Sequence, residues 1–207
     1  MNKFVIYGSG QHSYVVVEIA KQLGHKVSFL LDQKSGRSVY GIPVFKFEQH
    51  NFINCSDTKF LVAIGDNNIR TKVYKKLLTF KLEPMNLIHP KSIVSESSHI
   101  NDGTVVMGGV TINSETLISQ NCIINTNSSI DHHCIIGDNV HICPGVHLAG
   151  NVHVGDNTML GIGSCVIPGI HIGSHCVIGA GTVVINHIPD FSLVVGVPGK
   201  IVRKLNH

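Results

Sequence analysis

Ile118-Ser-Gln-Asn-Cys-Ile-Ile124-Asn-Thr-Asn-Ser-Ser-Ile130-Asp-His-His-Cys-Ile-Ile136 places an isoleucine at every sixth position. The pattern runs outward without a break, through Ile112, Val106, Ile100, Val94 and Ile88 on one side. On the other it continues through Ile142, Leu148, Val154, Leu160, Val166, Ile172, Ile178 and Val184. Four residues after each aliphatic position the side chain is mostly small or β-branched: Thr104, Val110, Thr116, Cys122, Ser128, Cys134, Val140, Val146, Val152, Thr158, Ser164. Neither a helical nor a simple strand period generates this. A fixed period means stacked repeats, each burying its apolar edge only against its neighbours. Six residues fit one flat face of a three-sided prism, so three hexapeptides make a coil and residues eighteen apart lie one above the other. With strands stacked at roughly 4.8 Å, five to six coils give a column about 25–30 Å tall. The aliphatic residue and the one four later point inward.

The repeat claims residues 86–207, including a C-terminal tail, and leaves residues 1–85 to build their own core. A hydrophobic content of 43% is ample for that. The opening apolar run, Phe4–Tyr7, is short and ends in glycines, so neither a signal peptide nor a membrane partner is expected. The six cysteines form no CxxC pair, and Cys122, Cys134 and Cys176 fall on the inward small-residue phase, as packing rather than disulfides. A reducing, cytoplasmic setting fits. A formal charge of +3 is too mild for a nucleic-acid partner and suits small polyphosphorylated ligands equally well.

In the first half, Lys3–Tyr7 reads as a buried strand, followed by Gly8-Ser-Gly10-Gln-His12 and a helix over roughly 13–23. A second strand, 26–31, ends at Asp32; a third, 60–64, runs into Gly65-Asp-Asn-Asn and a helix reaching about Phe80. This alternation predicts a small parallel, Rossmann-like α/β sheet. Glycine in the first turn lets a backbone approach a phosphate or sugar, the helix N-terminus favours negative charge, and Asp32 is placed to bond a ribose or base edge. Ser13 stands where a dinucleotide fingerprint has its third glycine, so NAD, a nucleotide-linked ligand and a purely structural turn all stay open.

The least repeat-like chemistry is Asn125-Thr-Asn-Ser-Ser-Ile-Asp131-His132-His133. Both histidines follow the inward Ile130 closely and should project near a corner, where a solvated imidazole needs no special reason. Gly150, however, is eighteen residues after His132 and should lie one coil above it. A base beside an unhindered N–H donor is the minimum apparatus for acyl transfer.

Taken in order, Tyr7-Gly-Ser-Gly-Gln-His12, Ala63-Ile-Gly-Asp-Asn-Asn-Ile-Arg70, the Asn125–His132 run, Leu148-Ala-Gly-Asn-Val152 and Val195-Gly-Val-Pro-Gly-Lys200 resemble the NeuD/PglD sugar acetyltransferases. The likeness spans essentially the whole chain. It implies a left-handed parallel β-helix and acetyl transfer from acetyl-CoA, commonly to the 4-amino group of a nucleotide-linked 4-amino-4,6-dideoxy sugar. By the same resemblance His132 is the general base and the Gly150 N–H meets the thioester carbonyl. Gly10, His12, Asp32 and Gly65 lie near the sugar nucleotide; Asn125 and His141 line the site. Ile162, Gly163, Ala180 and Gly181 flank the pantetheine arm, and Lys200 and Arg203 meet CoA phosphates. The family packs three columns into a homotrimer with sites between neighbouring columns. Relatives commonly carry an acidic residue after the catalytic histidine; this chain has His133, leaving Asp131 or a neighbouring subunit to orient the ring. Gln33 replaces a second acidic residue that contacts the base in some relatives, which argues less for uridine.

The resulting expectation is direct N-acetyl transfer in a ternary complex, with sugar O-acetylation of the sialic-acid type as the alternative. No cysteine is placed as an acyl-accepting nucleophile. A zinc site of the carbonic-anhydrase kind needs histidines five apart, and none are; His141, His147 and His153 are six apart and spread over successive faces, while His153 and His171 can stack. A non-catalytic scaffold or sugar-nucleotide sensor would have no reason to keep Asn125, His132 and Gly150 together.

Overall fold

A computed structural model describes residues 3–49 and 58–205. The chain forms two compact units, Met1–Pro90 and Lys91–His207. The first is an α/β unit made of β1 (Lys3–Tyr7), α1 (Gln11–Gln22), β2 (Val27–Asp32), β3 (Ser38–Val39), β4 (Ile42–Lys46), β5 (Thr58–Val62), α2 (Asn67–Thr79) and β6 (Glu83–Pro84). The sheet order is β3-β4-β2-β1-β5-β6. Strand β1 pairs in parallel with both β2 and β5, which explains why its apolar run does not alternate: Phe4 through Tyr7 are all buried. Helix α1 buries Val16, Val17, Ile19 and Ala20. Helix α2 is capped by Asp66, whose Oδ1 accepts from the Ile69 N–H at 2.8 Å, and buries Val73, Tyr74 and Leu77 against Val5, Phe60 and Val62.

The expected three strands are extended by elements whose signals are weak. The hairpin of β3 and β4 turns at Tyr40-Gly41, both left-handed (φ 50° and 77°), and Tyr40 is not a residue that announces such a turn. Strand β6 is too short to carry a period and adds in parallel to β5 at the sheet edge.

The second unit is the left-handed parallel β-helix. Its first face stacks Ile93–Val94, Thr111–Ile112, Ser129–Ile130, His147–Leu148, Cys165–Val166 and Val183–Val184. The second face stacks His99–Ile100, Leu117–Ile118, Ile135–Ile136, His153–Val154 and His171–Ile172. The third carries Val105–Val106, Ile123–Ile124, His141–Ile142, Met159–Leu160, Val177–Ile178 and Ser192–Val195. Below the last coil, each pair meets its neighbour eighteen residues away in parallel register, as with Ser129↔His147 and Ile130↔Leu148. The sixth-position aliphatics from Ile112 to Val184 are buried.

The polar members of the inward series are buried too: Thr104, Thr116 and Thr158 bond between coils, Ser128 donates to the Asn125 carbonyl of its own corner, and the Ser164 and Thr182 hydroxyls have no partner among the described residues. Thr116 Oγ1 donates to the Asp131 carbonyl at 2.8 Å and accepts from the Cys134 N–H at 3.3 Å; Thr158 does the same with Gly173 and Cys176. Cys122, Cys134, Cys143 and Cys176 are buried free thiols and Cys165 is a half-buried one; Cys55 lies outside the described residues. The last residue of most corners is left-handed, which is why Asn and Gly recur there: Asn121, Asn127, Asn139, Asn151 and Asn157 all have φ between 56° and 59°.

The period changes at the top of the column. Ile172 bridges to Ile188 and Val177 pairs with Leu193, so the final coil has sixteen residues instead of eighteen. The chain then reverses, and Lys200–Lys204 pairs antiparallel with Ser192–Val195.

Candidate active site

Two places in the molecule leave backbone donors or imidazoles without structural employment, one in each unit. In the first unit the turn Gly8-Ser9-Gly10 joins β1 to α1. Gly8 has φ 111°, and a Cβ there would come within 2.7 Å of the Ala63 carbonyl oxygen, so glycine is required on both counts. Gly10 caps α1 with open space above it. Ser13 fits the helix start without a gap: it is fully buried and its hydroxyl donates to the Gly10 carbonyl at 2.7 Å.

Asp32 braces this turn. Its Oδ2 accepts from both the N–H and the hydroxyl of Ser9, at 2.7 and 2.6 Å, and its Oδ1 accepts from the Gln33 N–H at 2.6 Å. Burial raises its pKa, but the hydrogen bonds from Ser9, Gln33 and Lys34 outweigh that and hold the carboxyl below its usual value. The expected ribose contact would therefore be made by a carboxylate already fixed in place. In the same unit, His12 Nε2 is buried and has no hydrogen-bond partner among the described residues. Burial, then the charge of Arg70, lowers its pKa to about 4, so the ring is neutral at physiological pH.

Arg70 is the residue that reading the sequence missed. It is 1% exposed, and its Nη1 donates to the Ile64 and Gly65 carbonyls, each at 3.1 Å, while Nη2 donates to Asn67 Oδ1 at 2.8 Å. The Gly65 turn is thus held from beneath by a buried guanidinium. Its position in helical phase with the buried Val73, Tyr74 and Leu77 was the available signal, but a charged residue in that phase reads as surface.

In the column, His132 sits at the edge where the first face turns into the second, and Gly150 is directly above it. The His132 carbonyl accepts from the Asn151 N–H at 2.9 Å, fixing the two corners together. A Cβ on Gly150 would lie 2.5 Å from His132 Cε1 and 2.6 Å from Nε2. Gly150 has no left-handed φ, so it is glycine for space: the imidazole packs against its α-carbon.

The Gly150 N–H is more telling. At the edge between the second and third faces, three middle corner N–H groups are taken by an aspartate one coil above: Gln120 donates to Asp138, Asp138 to Asp156 and Ser174 to Asp190. Above Gly150 the equivalent residue is Pro168, which offers no carboxylate. Gly150 is buried, yet its N–H has no partner among the described residues. A buried donor left open beside an imidazole is a ready oxyanion contact.

The Asp131 carboxylate makes no hydrogen bond to the His132 ring among the described residues. Its Oδ1 accepts from the His132 backbone N–H (2.8 Å) and from Asn113 Nδ2 (2.9 Å), and the Asn113 bond first, then the His132 N–H, lowers its pKa. The neighbour of His132 Nδ1 is His133 Nδ1, 3.1 Å away.

The remaining expected site residues lie on the opposite edge of the first face. Asn125 Nδ2 is 3.2 Å from His141 Nε2, and Ile162, Gly163, Ala180 and Gly181 continue up that edge. Gly163 and Gly181 are left-handed, and Ile162 is 61% exposed. Within one chain the first face separates this group from His132 and Gly150. Lys200 and Arg203 are exposed on the C-terminal strand. His153 and His171 lie one above the other with ring centroids 4.3 Å apart and planes tilted at 48°, and burial followed by the His171 charge lowers the His153 pKa. Among the described residues no three His, Cys, Asp or Glu side chains converge as a metal site.

Comparison with known proteins supports the family. Residues 3–77 match the PglD N-terminal domain, residues 115–150 the bacterial transferase hexapeptide (six repeats), and residues 151–185 the hexapeptide repeat of succinyl-transferase. The chain is 35% identical over 114 residues to UDP-N-acetylbacillosamine N-acetyltransferase of Bacillus subtilis, and that match spans about half of the Bacillus protein (52%). It is 29% identical over 178 residues to GDP-perosamine N-acetyltransferase of Escherichia coli O157:H7, covering 82% of this chain and 80% of the relative. A perosamine N-acetyltransferase from Caulobacter crescentus, solved with CoA and GDP-perosamine, superposes with a TM-score of 0.95 at 37% identity, covering 99% of this chain and 98% of that one. With both units matched and the likeness running end to end, the chain belongs to the NeuD/PglD family of hexapeptide-repeat sugar acetyltransferases.

Proposed function

We propose that this protein transfers the acetyl group of acetyl-CoA to the 4-amino group of a nucleotide-linked 4-amino-4,6-dideoxy sugar, for the assembly of a bacterial surface glycan or glycoprotein. The observation that carries the chemistry is the open N–H of Gly150 beside the His132 ring. The perosamine and bacillosamine enzymes among its relatives support the acceptor class.

In this reading the amine attacks the acetyl carbonyl while His132 Nε2 takes its proton. The Gly150 N–H donates to the oxygen that gains charge, the carbon–sulfur bond breaks, and the thiol leaves with the proton that balances the reaction. Gly10, His12, Asp32 and Gly65 hold the sugar nucleotide: the helix N-terminus favours its phosphates, and the neutral His12 offers a hydrogen bond without adding charge. Asn125 and His141 contribute polar groups to the site, Ile162, Gly163, Ala180 and Gly181 line the pantetheine arm, and Lys200 meets CoA phosphate.

We place the working site between copies of the chain in a homotrimer. The support is that the His132 edge and the Asn125–Ile162 edge bound opposite sides of one face, so a ring of columns would bring one copy's first group to the next copy's second. Exposed Ile93 (70%) on that face and Ile162 give such an interface apolar surface. A cytoplasmic location follows from where acetyl-CoA and free thiols are found; no helix among the described residues is long and apolar enough to cross a membrane.

Mass spectrometry tests the acceptor. Purified protein with acetyl-CoA is offered GDP-, UDP- and dTDP-linked 4-amino-4,6-dideoxy sugars beside free and CMP-linked sialic acid. Acetylation of one amino sugar nucleotide is expected; acetylation of sialic acid alone would replace this reading with O-transfer.

A further inference from the structure

We propose that His133 is the positioning residue of His132: it accepts a hydrogen bond from the His132 Nδ1–H and thereby keeps Nε2, the nitrogen against Gly150, as the free lone pair. This deepens the transfer reading above and rests on it for its kinetic consequences. The two Nδ1 atoms are 3.1 Å apart, with the rings nearly perpendicular (85°) and centroids separated by 5.2 Å. At that distance one nitrogen carries the proton and the other accepts, so each ring dictates the other's tautomer.

The corner that carries His133 has the same left-handed backbone as most other corners of the column, and it brings the two rings together. His133 is left-handed, φ 58°, at the corner position that Asn or Gly fills in most other coils. Its N–H donates to the Ser114 carbonyl at 3.0 Å, and the His132 carbonyl is held by Asn151, so both residues are clamped from the coils below and above. A histidine here carries a backbone cost that asparagine bears more readily, and what it gains is the Nδ1 contact. Asp131 is engaged elsewhere: its Oδ1 accepts from Asn113 and from the His132 backbone, and neither bond reaches a ring.

The alternative arrangement, in which His133 donates, would put the remaining proton on His132 Nε2 and remove the base from the Gly150 side. During transfer Nε2 takes the amine proton while Nδ1–H stays bonded to the neutral His133 lone pair, so the imidazolium keeps a partner. If His133 is itself protonated, that lone pair is gone and two N–H groups face each other. The base therefore works only when both rings are unprotonated. The charged groups around the pair are Asp131, beside it in the chain, and Glu115, one coil below His133; no ion pair joins Glu115 to His133, and the residues above, Gly150 and Asn151, are uncharged.

The test combines pH–rate profiles with the tautomer itself. On the acid side, log kcat of the wild type should steepen toward a slope of two as pH falls, one unit for each ring. His133→Ala should lower kcat about 10–100-fold, the usual scale for removing an imidazole's orienting partner, and leave the acetyl-CoA KM within about twofold. His133→Glu should recover most of kcat with an acid limb of slope one. Nitrogen-15 histidine NMR of the substrate-free protein should show His132 as the Nδ1–H form in the wild type and as a mixture in His133→Ala. An Nε2–H His132 in the wild type, or a His133→Ala protein with unchanged kcat and profile, would overturn the pairing. Because the NMR arm needs no turnover, an Nδ1–H His132 in a protein that acetylates nothing would support the pair while removing the proposed function.

Discussion

The two units solve the problem of presenting a site in opposite ways. In the column the candidate groups are additions to a scaffold that is complete without them: His132 is exposed, and Gly150 contributes an N–H that no described residue accepts, with Pro168 one coil above. In the α/β unit the groups at the turns are themselves structural. Asp32 ties Ser9 in place, and buried Arg70 holds the Gly65 turn. A repeat can carry chemistry cheaply in stability, because each coil is secured by its neighbours; a single turn between a strand and a helix cannot, since the ligands of the loop are also its braces.

The sharpest way to break this contrast is His132→Ala. It should cut kcat about 10²–10⁴-fold, the range for a lost general base, while the melting temperature by circular dichroism stays within a degree or two of wild type. Equal losses of both would mean that the column does rely on its site. Arg70→Leu probes the other side. Removing the guanidinium strands two carbonyls, and the helical signal should lose about 3 kcal/mol in urea denaturation. An unchanged midpoint would show the Gly65 turn to be self-supporting.

Gly150→Ala sharpens the comparison further. The new methyl meets only the tip of an exposed imidazole, so the ring should swing away at little cost in stability, with kcat falling about 10–100-fold. Retained activity would remove Gly150 as the packing surface for the base.

The smallest effect is in the pH dependence. His12 has an ordinary value of 6.5 unfolded and about 4 folded. Above pH 6.5 both states are neutral and the full stability is present. As pH falls the unfolded chain takes up a proton that the folded one refuses, so stability drops through that window, by about 2 kcal/mol at pH 5. His12→Gln should flatten that slope in pH-dependent urea titrations, and an unaltered slope would assign it to other groups.

The same contrast governs what could be read in advance. The column was legible almost residue by residue, because every sixth side chain repeats one decision, and the eighteen-residue spacing alone put Gly150 above His132. The sixteen-residue last coil escaped because the aliphatic phase ends at Val184 before the shortening. Likewise the Nδ1 contact between His132 and His133 depends on how the two rings are turned, which spacing does not reveal. In the α/β unit the strands of Val5 and Phe60 were plain from composition, but Arg70 looked like a surface residue, and the Asp32–Ser9 brace links residues 23 apart by side-chain geometry that no local pattern encodes.

The reversed C-terminal strand has one further consequence. A parallel β-helix ends in open backbone edges, and stacked coils offer an ideal template for another molecule to continue the stack. Here the last parallel strand, Ser192–Val195, is covered by Lys200–Lys204, so the outermost edge runs antiparallel and presents Lys200, Arg203 and Lys204. On that face, a second column approaching end-on would meet reversed polarity and like charge instead of a matching ladder, which works against growth into fibres by the same pairing that holds the protein together.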